Sequence, residues 1–598
     1  MIGNSAKLDA DHRSLRVIEL VGVRSAVVPA DLPRSLAPGH GRREWQTIRY
    51  ERRLLVVVHN VTAATRLLDV LPLVTEDRRI QTFYTCPGSS AFTSGTAEFL
   101  AERDLPTIPW RVAVARKFDA AIAASHGGPL HKLGKRLIIL PHGMGYNKLL
   151  KPETGNRKPE TGKPFPVFGL GADWLLHRDR LIPSVLVLSH AEQRQRLARC
   201  CPEALPVALV AGDPCFDRIM LSAPLRESYR HAFGLAEHQR LVVVSSTWGE
   251  KSLFGRCPDL PMQLAEQLPL DEFRIAVVLH PNIWFGHSPG QLRAWLADWA
   301  RAGIVVVPPE EGWRAALIAS DLVIGDYGSV TFYAAAQGAP LLLASHPAEL
   351  LDPDSPIAAL LAAAPHVDPK RHLLDQARDA ITQHAPEQYA HITAQTTSAP
   401  GRSPALLRRA IYRELRLSEP DTPASVSAVP LPSLSAQPVD AQLIGVRSSE
   451  AGVELSRFPA EVLHRAPEVA RGRFLVVGTN QPRQGWLERA DALVRDGAGP
   501  VRRWIDGSLA ALPGCLVAAA RDESGQWVVG DRSGRLLRFV RVGGGELSAD
   551  DGACCAALVC AGHPATMAVA GDGRVTLVRN GSSLTARVFS EAAALPVD

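Results

Sequence analysis

The stretch SDLVIGDYGSVTFY, residues 320–333, decides the reading of the chain. Its LVI run at 322–324 is short, apolar and branched, as in a strand buried on both faces of a parallel sheet. A Gly/Ser turn follows, and 330–337 reads as a helix. Strand, turn and helix in that order make one unit of a doubly wound sheet. The turn delivers free backbone N–H groups and the positive end of a helix dipole to the carboxyl edge of the sheet, where an anion binds. Asp326, Tyr327, Gly328, Ser329 and Val330 are therefore candidate phosphate-binding residues. Ser329 either caps the helix or donates to the phosphate.

The same grammar extends on both sides. Runs at 241–244, 275–279, 304–307 and 341–343 read as strands, with a helix at 291–301. Upstream, runs at 54–58, 120–124, 137–140, 185–188 and 207–210 do the same, and 62–71 has helical spacing. The expected fold class is α/β: two Rossmann-like lobes, residues 1–225 and 226–417, with the cleft between them. Residues 418–441 are Pro/Ser/Ala-rich and read as a linker that few contacts cross, so a chain ending near Leu417 is expected to stay folded. Within lobe one, 151–166 carries KPETG twice and reads as an exposed loop. Residues 442–598 form a small β-rich module. Its runs at Trp527 and Met567, 40 residues apart with similar Gly turns, suggest a propeller-like or sandwich module.

Length and composition bound the function. A chain of 598 residues with 46% hydrophobic and 21% charged residues is globular, and about four domains is the prior. A net charge of +5 over that length gives no argument for nucleic acid. No apolar run approaches the ~20 residues that span a bilayer, and the N-terminus has no apolar signal-peptide core. Nine cysteines without a C-x-x-C, two pairs of them adjacent, argue for free thiols in a reducing cytoplasm rather than disulfides or zinc. The Ala/Arg/Pro bias suggests a GC-rich bacterial genome.

Four further clusters end predicted strands. His142-Gly143-Met144 follows 137–140; its neutral imidazole suits a general base, and Gly143 leaves room for substrate. Gly212-Asp213-Pro214-Cys215-Phe216-Asp217 reads as a structural turn, with Asp217 capping the next helix. Ser245-Ser246-Thr247-Trp248 offers hydroxyls to a phosphate or sugar. His280-Pro281-Asn282 offers a protonated imidazole and an amide donor. The expectation is that His142 and His280 face each other across one cleft. A basic amphipathic stretch at 402–417 either packs back across the lobes or lies on an anionic membrane.

Taken in order, these clusters resemble the CDP-glycerol glycerophosphotransferases, which polymerise teichoic-acid backbones of the bacterial cell envelope. His142-Gly143, Gly212/Pro214/Asp217, Thr247-Trp248, His280-Pro281 and Asp326-Tyr327/Ser329 match that family's pattern over roughly residues 50–400. The resemblance implies a GT-B fold, an acceptor in lobe one and a nucleotide in lobe two. It also implies catalysis by His142 and His280, no metal and no cofactor. The nucleotide-linked donor and a hydroxyl acceptor, lipid-linked in one version, would be its partners. Binding would involve Thr247, Trp248, Asn282, Asp326, Tyr327, Gly328, Ser329 and Val330. The chain departs from the family where arginines are expected, having Cys215, Gly249 and Val278; Lys251, Arg218 and Arg256 are the candidates to replace them. Met144 stands where a threonine is expected.

The leading expectation is thus a cytoplasmic transferase, peripheral at the inner membrane face in one version. A nucleotide-sugar glycosyltransferase or epimerase is the alternative on the same fold. The competing class is a non-catalytic binding protein that recruits a partner through its β module.

Overall fold

The computed structural model describes residues 47–89, 93–150, 166–434, 438–450, 452–497, 499–563, 573–579 and 582–591. The KPETG insert, the run at Met567 and the part of the first-lobe range before residue 47 lie outside the described residues. The chain divides into the units Met1–Arg49 and Tyr50–Asp598, and both lobes and the β module lie in the second.

Two parallel sheets carry the lobes. In lobe one seven strands run in the order Thr107–Pro109, Ile80–Cys86, Arg52–Val57, Ala120–Ala123, Leu137–Ile139, Val185–Leu188, Ala208–Val210. In lobe two the order is Val305–Val307, Phe273–Leu279, Arg240–Ser246, Leu322–Gly325, Leu341–Leu343. Each chain order starts at the middle of its sheet, winds one way, then reverses. The chain is two Rossmann-like lobes, the arrangement of the GT-B fold, followed by a β module. Alternate residues of the central strands feed opposite faces: Val242 and Val244 pack in one cluster, Leu241 and Val243 in the other. Strand direction and reversal place two pairs of loops at the switch points, where ligands bind in open α/β sheets. They are the loops after Arg52–Val57 and Ala120–Ala123 in lobe one, and those after Arg240–Ser246 and Leu322–Gly325 in lobe two.

The lobes exchange helices. Helix Pro214–Ser222 gives Cys215 and Ile219 to the core of lobe two, although it precedes the expected boundary at 225. Helix Ser403–Leu415 returns to lobe one, burying Leu407, Ile411, Tyr412 and Leu415 there. Arg52 Nε donates to the Leu415 carbonyl at 2.7 Å, and Tyr412 donates to Asp77 at 2.7 Å. The basic stretch therefore packs across the lobes, with Arg409 and Arg413 left exposed.

The β module differs from expectation. It is a closed barrel of nine strands, neither propeller nor sandwich. Helix Ala549–Cys560 fills it, with Asp551 through Val559 all buried. Small side chains from Gly552 to Ala557 let the helix fit; a Cβ on Gly552 would collide with the Trp527 ring. Two hairpin turns of one kind flank the strand Trp527–Asp531, while the Met567 half of the repeat that suggested blades lies outside the described residues. In Asp522-Glu-Ser-Gly525 and Asp531-Arg-Ser-Gly534 the aspartate accepts from the serine N–H at 2.9 Å and the glycine takes positive φ. The turn recurs; the architecture does not.

Nor does the module hang on a free linker. Leu443, Phe458, Leu475 and Val477 on the barrel's outer face share one core with Val242 and Ile275 of lobe two. Arg457 is buried and donates to Asp271 of lobe two at 2.9 Å, while also pairing with Asp550 at the start of the internal helix. The linker is fastened too: Tyr229 donates to the Val429 carbonyl at 2.6 Å, and Arg218 donates to the Ser427 and Ala428 carbonyls. The linker pattern in the sequence reports missing periodicity, not missing contacts. A chain ending at Leu417 would expose the apolar face that the barrel covers and should be recovered insoluble, contrary to the sequence expectation. In the full chain Arg457→Ala should lower unfolding free energy by about 3 kcal/mol, the lower end for a broken buried pair, in chemical denaturation, because Asp271 loses its hydrogen-bonded partner and keeps only Arg579 at 3.7 Å.

Candidate functional site

The two lobes meet over a cleft of about 360 Å³. It is lined from lobe one by His59, His126, His142 and Lys148, and from lobe two by Thr247, Trp248, His280, Asn282, Tyr327, Gly328, Ser329 and Val330. His142 and His280 thus share one cleft, and of the ten residues singled out in the sequence only Asp326 is absent from its wall.

Asp326 is a strut. Its carboxylate accepts from the backbone N–H groups of Thr247 at 2.8 Å, Leu253 at 3.0 Å and Gly328 at 3.0 Å. One side chain so ties together the loops after two adjacent strands. Burial pushes this carboxyl up to about 6, opposed by those N–H groups and by Lys148.

Two serine and glycine assignments change. The helix after the turn spans Ser329–Ala336 with Gly328 at its cap and no side-chain cap bond. Ser329 Oγ instead accepts from the Met144 N–H of lobe one at 3.0 Å. Gly143 makes room for that serine: a Cβ there would lie 2.5 Å from Ser329 Oγ. The glycine after His142 serves contact between the lobes, a role its sequence context did not show. In the Gly212 turn, Asp213 rather than Asp217 caps the following helix, accepting from Cys215 at 2.9 Å and Phe216 at 3.0 Å. Asp217 accepts from Gly401 and Ser403 at the start of the returning helix.

The imidazoles are neutral. His280 Nδ1 accepts from the Asn282 N–H at 3.1 Å, so a neutral His280 carries its proton on Nε2. Burial, then Lys148 and His142, push its pKa well down, against the protonated form expected from sequence. His142 falls to about 4, chiefly by burial, then through Lys148 and Arg66. His59 and His126 fall to about 4 and about 3 for the same leading reason. His59 Nε2 lies 2.7 Å from the Gly127 carbonyl. His126 has no hydrogen-bond partner on either nitrogen among the described residues, although it is 5% exposed. Such a group is a marked exception inside a folded protein.

Sequence reading missed His59, His126 and Lys148. His59 and His126 follow the two strands that flank the lobe-one switch point, so topology marks them where local pattern did not. Lys148 Nζ donates to Thr247 Oγ1 at 3.3 Å and lies 4.9 Å from the Tyr327 ring centroid. The expected substitutes for the absent arginines are elsewhere: Lys251 pairs with Glu349, Arg218 with Asp69, and Arg256 is exposed outside the cleft wall. Two arginines do reach the wall, but both are engaged. Arg66 donates to Asp213 at 3.1 Å and Tyr333 at 2.9 Å; Arg314 donates to Asp69 at 2.5 Å and to Glu311. Among the described residues no group of three or more His, Cys, Asp or Glu has the placement of a metal site.

No protein-family model matches the chain, and no curated protein matches it. Among solved structures it is similar to a variant of the wall teichoic acid polymerase TagF soaked with CDPG, at TM-score 0.43 and 12% identity over 62% of this chain and 89% of that one. It is also similar to the UDP-GlcNAc 2-epimerase of Methanocaldococcus jannaschii in complex with UDP-GlcNAc and UDP, at 0.39 and 14% over 61% and 99%. A putative UDP-N-acetylglucosamine 2-epimerase from Listeria monocytogenes gives 0.35 and 15% over 61% and 97%. Values this low carry no residue and no activity across.

The depressed imidazoles give a pH signature. His59, His126 and His142 are free to protonate near 6.5 when the chain unfolds, but only near 4, 3 and 4 when folded. The unfolded chain therefore binds more protons below 6.5, and their contribution is full above that pH and lost as pH falls toward 4. Unfolding free energy should drop by about 2 kcal/mol per such imidazole between pH 7 and pH 5. His126→Phe should flatten that slope in denaturation series at pH 7, 6 and 5. An unchanged slope would show that His126 does not resist protonation.

Proposed function

We propose that the chain is a transferase that moves a glycerophosphate or sugar unit from a nucleotide-diphosphate donor to a hydroxyl acceptor. One observation carries this reading. A neutral imidazole of lobe one, His142, shares a cleft with the phosphate-suited donors of lobe two: His280 Nε2–H and the opening of helix Ser329–Ala336.

In the proposed step His142 takes the proton of the acceptor hydroxyl. The oxygen attacks the donor phosphorus, a new P–O bond forms, and the bond to the nucleoside monophosphate breaks. Charge gathers on the leaving phosphate, where His280 Nε2–H, Thr247 and the free N–H groups at the helix start stabilise it. Asp326 acts through the loops it holds, as a positioning residue. Trp248, Asn282, Tyr327 and Val330 bound the donor side of the cleft. The donor is CDP-glycerol-like on the sequence resemblance, and the step draws on no dissociable cofactor. With a nucleotide sugar the same cradle would hold the diphosphate while the acceptor attacks the anomeric carbon. A lipid-linked acceptor would bring the chain to a membrane surface; among the described residues no helix is long and apolar enough to cross one.

His142→Ala should lower turnover by about 10² to 10⁴ while donor affinity stays within a few-fold. Full turnover in that variant would remove His142 as the base. Thermal shift with CDP- and UDP-linked donors tests the class itself. A donor at one hundred times its Kd adds about 2.7 kcal/mol of stability. No shift with any donor would favour a non-catalytic binding protein.

A further inference from the structure

We propose that Lys148 is the cation that binds the donor's diphosphate, supplied by lobe one to a phosphate site whose other parts belong to lobe two; this rests on the transferase reading of the same cleft.

Of the three positions where the sequence resemblance would place arginines, Val278 lines the cleft and Cys215 and Gly249 do not. Cys215 is fully buried in the core of lobe two, and its thiol lies 3.3 Å from Arg314 Nε. Val278 belongs to the same core, and Gly249 sits at φ +94°. None of the three brings charge to the cleft. The cationic side chains in the wall are Arg66, Arg314 and Lys148. Arg66 and Arg314 are held by the carboxylates of Asp213, Asp69 and Glu311. Lys148 differs: among the described residues no carboxylate forms an ion pair with it. Its contacts are the Thr247 hydroxyl at 3.3 Å and the faces of Tyr327 and Trp248 at 4.9 and 5.7 Å.

Those contacts place the ammonium without exhausting it. A lysine has three N–H donors, and one is directed at Thr247. Aromatic faces attract a cation but accept no conventional hydrogen bond from it. An ammonium enclosed with no counter-ion is unfavourable, and burial here drives its pKa down to about 8. His142 and His280 are both depressed by the same lysine, so it stands within electrostatic reach of both. Among the described residues the carboxyl acting on it is that of Asp326, whose hydrogen bonds go to the backbone of lobe two. A diphosphate in this cleft would find donors from both lobes: Lys148 from lobe one, His280 Nε2–H and the start of helix Ser329–Ala336 from lobe two. The cation comes from the lobe opposite the helix, so binding the anion also joins the lobes beside the Met144–Ser329 hydrogen bond.

The test uses the full chain and inorganic pyrophosphate. Pyrophosphate should raise the melting temperature of the wild type. Lys148→Met should weaken its calorimetric affinity by about 10- to 100-fold, the worth of a charge-assisted hydrogen bond, and Lys148→Arg should retain most of it. Without pyrophosphate, Lys148→Met should melt at the wild-type temperature or higher, because the charge serves a ligand rather than the fold. Equal affinity in Lys148→Met, a lower melting point for it without ligand, or a wild type that ignores pyrophosphate would each overturn the proposal. If the variant binds normally in a protein that turns over a nucleotide donor, the lysine fails and the transferase stands. If the variant abolishes binding in a protein that uses no donor, the anion site stands and the transferase fails.

Discussion

Charge buried between the lobes governs this structure. Arg314 of lobe two is 2% exposed and reaches Asp69 of lobe one, which also holds Arg218. Arg66 of lobe one reaches Asp213 and Tyr333, and Tyr333 itself donates to Asp213 at 2.7 Å. A buried ion pair adds little net stability over apolar packing, yet removing one partner is strongly destabilising. Such pairs therefore specify an arrangement more than they strengthen it. Separating the lobes here would break the Asp69–Arg314 pair and both hydrogen bonds of the Tyr333 hydroxyl, to Arg66 and Asp213, at once. The cleft loops are consequently held at contact distance, and that is why Met144 and Ser329 can bond directly.

The sheets were legible because their strands are buried on both faces. A run such as 241–244 must be apolar throughout, and that pattern is readable in a single sequence. The barrel was not legible, because its two faces are both apolar for different reasons. Val476 faces the internal helix while Leu475 and Val477 face the rest of the fold. Alternation between polar and apolar residues, the usual mark of a half-exposed strand, is erased where both sides are covered. The internal helix was equally hidden, since GACCAALVC has no polar stripe when every side is enclosed.

At the site, residues following a strand directly were found, and residues assembled by topology were not. His142, Thr247, His280 and Ser329 each stand one to four positions past a recognisable strand. His59 and His126 occupy comparable positions, but nothing local distinguishes them from a strand-end histidine with a structural role. Only the strand order, which reverses between Arg52–Val57 and Ala120–Ala123, brings them to the same edge. Lys148 follows the Leu137–Ile139 strand by nine positions, and its importance appears only when Thr247 of the other lobe lies beside it.

The electrostatic state of the cleft follows from this geometry. Enclosure favours neutral groups, so four imidazoles lose their protons while one ammonium stays charged through much of the neutral range. A bound anion would act on them in the opposite sense, favouring protonation of the imidazoles nearest to it. The same diphosphate that stabilises Lys148 would then raise His142 and His280 from their depressed values. For a base taking a proton from an alcohol, that direction is useful: a pKa near 4 makes a weak base, and a pKa brought toward neutrality makes a stronger one. In the proposed reaction donor binding would thus prepare the base, and the order in which charge enters the cleft would be part of its chemistry.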